Sequence, residues 1–181
     1  MSERRSTTVI NLYGGPGTGK STSAAYLYAL LKRKGFHVEL VREHVKMWAW
    51  EGRKIGTYDQ VYFLGKQTRH ETMLYGKVDY IVTDSPILLG TYFAGRFCAK
   101  PIAAGIRALT LGVYEQAKAD GHQHRHVMLR RSKPYVPEGR YQTEAEALEM
   151  DLGIGGLLRE LRLPVETCGT RKAELRALVL P

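Results

Sequence analysis

One glycine-rich segment combines residue types and a spacing that suit phosphate binding: Gly14-Gly15-Pro16-Gly17-Thr18-Gly19-Lys20-Ser21. The glycines allow successive backbone N–H groups to point inward, Lys20 adds a cation for the β and γ phosphates, and the Ser21 hydroxyl suits Mg²⁺. This spacing is the full Walker A pattern and predicts a nucleoside triphosphate site. The residues expected to contact the nucleotide are Gly15, Gly17, Thr18, Gly19, Lys20, Ser21 and Thr22.

The expected nucleotide is ATP. GTPases usually carry an Asn-Lys-x-Asp sequence that reads guanine, and this sequence contains none. The glycine-rich segment alone separates neither kinases from ATPases nor either of them from GTPases, because all three need the same phosphate contacts. Residues elsewhere in the chain must therefore define the reaction.

Two carboxylates follow segments that are rich in strand-forming residues. Glu43 follows 37–42 and Asp84 follows 78–83, and ligands of an open parallel sheet bind at the carboxyl ends of its strands. Phosphoryl transfer to a hydroxyl needs a proton acceptor and a carboxylate that holds Mg²⁺. We expect Glu43 to be the base and Asp84 to hold Mg²⁺ with Ser21. The alternatives are a solvent-exposed charge for Glu43 and a turn or cap residue for Asp84.

A basic segment at 130–141 gathers four of the cations of the chain before a helix that is expected to begin near Thr143. Kinases commonly close an arginine-bearing segment over the transferring phosphate, which stabilises its charge and excludes water. We expect the segment to be such a lid, with Arg131 and Arg140 at the phosphate. The alternative is a solvated surface loop.

Strands and helices alternate along the whole sequence. Strands are expected at 7–13, 37–42, 78–83, 126–129 and 165–168, and helices at 21–34, 58–75, within 101–120 and from about Thr143. This order predicts an α/β fold of the P-loop NTPase type, a three-layer sandwich around a parallel sheet of about five strands. The length of 181 residues suits a single domain, 1–181. Thr143 and Glu146 have the spacing of a capping box.

The composition is ordinary for a globular protein except for its charge. The net charge is +9, which favours a polyanionic partner. The two cysteines form no disulfide or metal pattern, and no apolar run suggests a signal peptide or a membrane span, so we expect a cytoplasmic protein without a membrane partner. The alternation of His122, His124 and His126 favours a loop that runs into a strand over a metal site. No feature indicates the oligomeric state.

The segment Glu43-x-Val45-x-x-Trp48 resembles the glutamate-led segment of deoxyribonucleoside kinases. Together with the Walker A segment and Asp84-Ser85-Pro86, it also resembles bacteriophage P-loop kinases, a group that includes nicotinamide-riboside-kinase-like proteins and 5-hydroxymethyluracil DNA kinases. The resemblance implies that Glu43 is the base and that an aromatic residue shapes the acceptor pocket. Deoxyribonucleoside kinases place an arginine after the third-strand acid, whereas Ser85 follows Asp84 here, which points to a different acceptor.

The same resemblance suggests residues that bind the acceptor. A glutamine of the corresponding kinase helix reads a nucleobase edge, which implies this role for Gln67, with Gln60 as a rival. Trp48 and Tyr58 are expected to bind the acceptor through their rings, and Trp50 is a further candidate for stacking on a base.

The predicted function is that of an ATP- and Mg²⁺-dependent kinase. The favoured acceptor is the hydroxymethyl group of 5-hydroxymethyluracil in DNA, so the expected partners are ATP and DNA with a modified pyrimidine, in the host cytoplasm if the protein is encoded by a bacteriophage. Six cations near the expected acceptor side favour DNA: Arg42, Lys46, Arg53, Lys54, Lys66 and Arg69. The alternatives are a kinase of free nucleosides or nucleotides, a 5′-polynucleotide kinase, and a P-loop ATPase that is not a kinase.

Overall fold

A computed structural model describes residues 5–179 of the chain. Within this range, five strands alternate with seven helices: β1 Thr8–Tyr13, α1 Lys20–Arg33, β2 Val38–Val41, α2 Val45–Trp50, α3 Asp59–Thr72, β3 Tyr80–Thr83, α4 Leu89–Phe97, α5 Lys100–Ala119, β4 Gln123–Leu129, α6 Glu144–Glu160, β5 Val165–Cys168 and α7 Lys172–Val179. Between residues 5 and 179, no helix combines the length and the apolar character that crossing a membrane requires.

The five strands form one parallel sheet in the order β2-β3-β1-β4-β5. Strand β1 lies in the centre, where Thr8 is in register with Tyr80 on one side and with Gln123 on the other. Its sequence is almost continuously apolar because both faces of the strand are covered. This architecture confirms the predicted α/β P-loop fold with a parallel sheet of about five strands.

Helices cover both faces of the sheet. On one face, Leu27 and Leu31 of α1 and Leu175 of α7 pack with strand residues in a single buried cluster. On the other face, a second cluster joins Tyr13 of β1 to α4 and α6. Every βα crossover thereby returns the chain to the same edge of the sheet, and the loops that follow β1, β2 and β3 lie side by side.

Most predicted elements are present, with boundaries that shift by a few residues. The capping box is confirmed, since the Thr143 N–H donates to Glu146 Oε2 at 2.7 Å and the Glu146 N–H donates to Thr143 Oγ1 at 3.3 Å. Strand β4 begins three residues earlier than predicted, because pairing with β1 extends it back to Gln123. The sequence prediction did not include α2, α4 or α7. The N-termini of α2 and α4 lack a side-chain cap, so no capping pattern indicates where they begin.

The core contains a carboxyl group, that of Glu71 on α3, which forms no salt bridge with any residue between 5 and 179. Glu71 is 1% exposed, and its Oε1 accepts a hydrogen bond from Tyr75 Oη at 2.8 Å. Within the same range its Oε2 has no hydrogen-bond partner. Burial raises the pKa of Glu71 to about 7. On β4, burial lowers the pKa of His124 and of His126 to about 4, and His126 is held between the hydroxyls of Tyr13 and Tyr114.

We expect Glu71→Gln to stabilise the protein above neutral pH. A carboxyl group whose pKa is higher in the folded state makes the protein less stable as the pH rises from the unfolded pKa near 4.5 to the folded pKa of about 7. Glutamine keeps an oxygen for Tyr75 but cannot ionise. The free energy of unfolding of the variant minus that of the wild type should therefore increase by roughly 1–3 kcal/mol between about pH 4 and about pH 8.

Urea unfolding of both proteins across this pH range measures the effect. The two histidines with lowered pKa have the opposite effect on stability. Their contribution makes the free energy of unfolding rise with pH between about 4 and 6.5. They are present in both proteins, so their contribution cancels in the difference. A difference that stays constant with pH would contradict the ionisation of Glu71 in the folded core.

Candidate active site

The phosphate-binding loop joins the end of β1 to the start of α1. Positive φ angles of 81° at Gly17 and 94° at Gly19 turn the backbone there. Helix α1 has no side-chain cap at its N-terminus, so its first N–H groups are available to an anion. Lys20 Nζ donates to the carbonyl oxygens of Gly14 at 2.6 Å and of Gly15 at 3.0 Å. The loop thus presents N–H groups and a cation to the same space.

Not every residue of the loop faces that space. The residues Gly17, Gly19, Lys20, Ser21 and Thr22 line the adjoining cavity. The N–H of Gly15 instead donates to Asp151 Oδ1 at 2.5 Å, and the buried Thr18 hydroxyl donates to the Gly15 carbonyl oxygen at 3.0 Å. The side chain of Thr18 therefore closes the loop on itself.

The loop packs tightly against α6 and the basic segment. A Cβ on Gly15 would lie 2.5 Å from the carbonyl oxygen of Ala147. A Cβ on Gly17 would lie 3.0 Å from the ring of Tyr135 and 3.1 Å from Nη1 of Arg131. Both glycines are therefore needed for close approach by neighbouring elements as well as for the turn.

The two strand-end carboxylates lie beside the phosphate-binding loop. Asp84 directly follows β3 and is 2% exposed, and its Oδ1 accepts a hydrogen bond from the backbone N–H of Glu43 at 2.9 Å. The side chains of Glu43 and Asp84 line the same cavity as Lys20 and Ser21, and its volume is about 700 Å³. The neighbouring positions of β2, β3 and β1 in the sheet bring these residues together.

The charges of these groups depend on one another. Burial lowers the pKa of Lys20, while the carboxylates of Glu43, Asp84 and Asp151 oppose that change. Burial raises the pKa of Glu43, while Lys20 opposes it. A carboxylate with a raised pKa can accept a proton more readily near neutral pH. Glu43 therefore has the electrostatic environment of a general base.

The donor atoms in the cavity fit Mg²⁺. The hydroxyl-bearing Ser21 and the carboxylate-bearing Asp84 both line the cavity. Mg²⁺ prefers oxygen ligands and usually takes only one or two from protein side chains. Within residues 5–179, no group of three or more His, Cys, Asp or Glu side chains could hold a metal ion. An ion at Ser21 and Asp84 would therefore need phosphate oxygens and water as its other ligands.

The basic segment crosses the open side of the phosphate-binding loop. Arg131 forms an ion pair with Asp151 at 2.8 Å. The guanidinium of Arg140 lies 5.1 Å from the centre of the Tyr135 ring, and Arg140 lines the cavity. The structure thus places both predicted arginines next to the loop, and their contact with a transferring phosphate stays a prediction. Arg130 instead pairs with Glu174 at the surface.

The segment also forms a roof over the cavity by contacting the region around α2. The Tyr141 hydroxyl donates to the carbonyl oxygen of Arg53 at 2.6 Å. A Cβ on Gly139 would lie 2.6 Å from the Trp50 ring, so the two are in close contact. The same cavity is also lined by Ile55, Thr57, Gln60, Leu89, Phe93 and Phe97.

The three residues predicted to bind the acceptor are not among the residues that line this cavity. Trp48 packs against Tyr62 and Phe63, and the Arg53 guanidinium lies 3.7 Å from its ring centre. Tyr58 is 78% exposed. Gln67 is buried and donates to Thr83 Oγ1 at 3.3 Å. The roles of Trp48, Tyr58 and Gln67 in acceptor binding stay predictions.

Gln60, which the sequence analysis named as the rival of Gln67, lines the cavity because it lies in the first turn of α3. The sequence prediction missed three other residues: Phe93, Phe97 and Asp151. Phe93 and Phe97 stack with ring centres 6.3 Å apart, and their spacing of four residues after the third strand was a signal for a shared helix face. Asp151 had no such signal, because an acid in the middle of a helix is most often solvent-exposed.

The sequence matches the AAA_28 family, described as an AAA domain, over residues 9–175. The chain belongs to this family. The AAA_28 match runs from β1 into α7 and contains every residue described above as part of the site, from the phosphate-binding loop to Asp151. No curated protein matches the sequence.

Two solved structures of NadR share the fold of this AAA_28 protein. One is NadR in complex with NR, with a TM-score of 0.70, 13% sequence identity and coverage of 95% of this chain and 50% of that chain. The other is NadR in complex with NAD and AMP-PNP, with a TM-score of 0.66, 13% identity and coverage of 95% and 48%. The chain thus spans about half the length of these NadR structures. The likeness shows that this chain shares the fold of the matched part of NadR.

Proposed function

We propose that this protein is an ATP-dependent kinase that phosphorylates a hydroxyl group on a nucleoside or nucleotide unit. The observation that carries this proposal is the shared cavity, which is lined both by Lys20, Glu43 and Asp84 and by the rings of Phe93 and Phe97. A P-loop ATPase that is not a kinase has no need of aromatic side chains in the cavity that holds its base. The NadR structure with AMP-PNP supports ATP as the phosphate donor.

The cavity residues supply each part of a phosphoryl transfer. The acceptor oxygen attacks the γ-phosphorus while its proton passes to the Glu43 carboxylate, and the bond between the γ-phosphorus and the β–γ bridging oxygen breaks to release ADP. Lys20 and the two arginines of the basic segment stabilise the negative charge on the phosphates. Ser21 and Asp84 would hold Mg²⁺, which neutralises phosphate charge when it is bound.

We favour the hydroxymethyl group of 5-hydroxymethyluracil in DNA as the acceptor, as in bacteriophage kinases of that type. The net charge of +9 supports a polyanionic substrate. Lys46 and Lys54 line the cavity, and Trp50, which is 63% exposed, contacts Gly139 of the roof. A base removed from the duplex can enter a closed pocket while cations and aromatic rings hold the flanking strand.

A free nucleoside is the second candidate acceptor. The contacts of Gly139 and Tyr141 with the α2 region narrow access to the cavity, which suits a small molecule. The solved structure of NadR in complex with NR supports this alternative.

We expect Glu43→Gln to abolish most phosphate transfer while ATP binding is retained. Glutamine has nearly the same size but cannot accept the proton, and loss of a general base typically costs about 100-fold to 10,000-fold in rate. The rate of the wild type should fall in acid through a pKa above the ordinary value of 4.5, because burial raises the pKa of Glu43. Steady-state transfer across pH and titration with AMP-PNP measure the two properties.

Glu39→Gln is the matched control. Glu39 lies on β2, four residues before Glu43, and pairs with Lys32 at the surface. This variant should keep both transfer and nucleotide binding. Transfer by Glu43→Gln at the wild-type rate would show that Glu43 is not the base.

The acceptor is identified by incubating the protein with ATP labelled at the γ-phosphate and with each substrate class. We expect label in the bases of DNA that contains 5-hydroxymethyluracil. Label only in free nucleosides would favour the second candidate, and label only at 5′ ends would indicate a polynucleotide kinase. Either result would contradict the DNA base as acceptor.

A further inference from the structure

Asp151 of α6 connects the phosphate-binding loop to the basic segment. Its Oδ1 accepts the hydrogen bond from the Gly15 N–H at 2.5 Å. Its Oδ2 accepts from Arg131 Nε at 3.0 Å and lies 2.8 Å from Arg131 Nη2. One carboxylate is therefore shared between the loop that binds the nucleotide and the segment that covers it.

This carboxylate fixes the direction of the guanidinium. Two of the three nitrogens of Arg131 face Asp151, and a guanidinium is planar, so the position of the third is determined. That third nitrogen, Nη1, is buried and has no hydrogen-bond partner in the part of the chain that the structure describes. It lies 3.1 Å from the point that a Cβ on Gly17 would occupy, on the side of the phosphate-binding loop.

A purely structural ion pair would leave this donor satisfied or exposed to water. Buried side-chain donors are usually paired, and one without a partner often indicates a missing ligand. The side chains of Arg131 and Asp151 are only 13% and 18% exposed, so bulk water provides little compensation. A phosphate oxygen at the loop would satisfy Nη1 and also match its charge.

Helix α6 holds Asp151 in a defined place. The capping box at Thr143 fixes the start of the helix directly after the basic segment. One turn later the Ala147 carbonyl oxygen packs against Gly15, closely enough that a Cβ there would lie 2.5 Å away. Asp151 follows Ala147 by four residues and lies on the same face.

We infer that Asp151 is a positioning residue that aligns Arg131 with the phosphate being transferred. It acts through Arg131 and through the loop backbone and does not itself touch the reacting atoms. This inference rests on the proposed kinase activity. It adds a residue from outside the Walker A segment and the strand ends to the machinery of the site.

The test is a double-mutant cycle on phosphate transfer. Asp151→Asn should lower kcat at least about tenfold and change the KM for ATP much less, because the lost contact forms mainly in the transition state. Arg131→Ala should lower kcat by at least as much. Adding Asp151→Asn to Arg131→Ala should produce less than about a twofold further loss, since the two residues act as a unit.

Glu149→Gln is the matched control, because Glu149 lies on the same helix and pairs with Arg96 at the surface. It should leave kcat unchanged. Thermal unfolding establishes that each variant is folded; if Asp151→Asn is not, Asp151→Glu moves the carboxylate by one methylene and should lower kcat in the same way.

Independent, multiplicative losses in the double variant would overturn the inference, and so would an unchanged kcat in a folded Asp151→Asn variant. Failure of the proposed function gives a different result. In that case the wild type itself would transfer no phosphate to any acceptor.

Discussion

The ammonium of Lys20 sets the electrostatics on which the rest of the site depends. It is enclosed by the loop, where it donates to the carbonyl oxygens of Gly14 and Gly15. An ammonium withdrawn from water is costly unless opposite charge lies nearby. Three carboxylates supply that charge, and each comes from a different part of the chain: Glu43 after β2, Asp84 after β3 and Asp151 within α6. The parallel order of the sheet is what brings the first two to the loop.

The same arrangement supports the proposed transfer to an acceptor. The cations and carboxylates share their cavity with Phe93 and Phe97. The basic segment pairs with α6 through Arg131 and contacts the α2 region through Tyr141. Exclusion of water strengthens the interactions beneath the segment and protects the γ-phosphate from attack by water. A single segment can therefore link nucleotide binding to closure over the acceptor.

The sequence was informative where the chemistry depends on local pattern. The Walker A spacing, the strand-end positions of Glu43 and Asp84 and the capping box at Thr143 all follow from residues close together in the chain, and the structure places each beside the loop or at the start of α6. The central strands were predictable because buried parallel strands are continuously apolar. These features are enough to predict the fold and the phosphate-binding residues and carboxylates of the cavity.

The remaining residues of the site are positioned by packing between elements that are distant in the sequence. The resemblance to kinases pointed to Gln67, but the fold turns that side chain toward Thr83 and leaves Gln60 at the cavity. The pairing of Asp151 with Arg131 joins residues twenty positions apart, and no local pattern distinguishes that acid from its exposed neighbours on α6. Helix α4 begins without a side-chain cap, so the aromatic wall that it carries had no boundary signal in the sequence.

The fate of the γ-phosphate tests the central claim most directly. Phosphorus NMR of a reaction with ATP, Mg²⁺ and an oligonucleotide containing 5-hydroxymethyluracil follows ADP, phosphomonoester and orthophosphate together. We expect one phosphomonoester for each ADP and little orthophosphate when the acceptor is present. When the acceptor is left out, we expect little ADP. Equal amounts of ADP and orthophosphate, formed at the same rate with and without any nucleoside or DNA acceptor, would contradict the central claim and identify an ATPase.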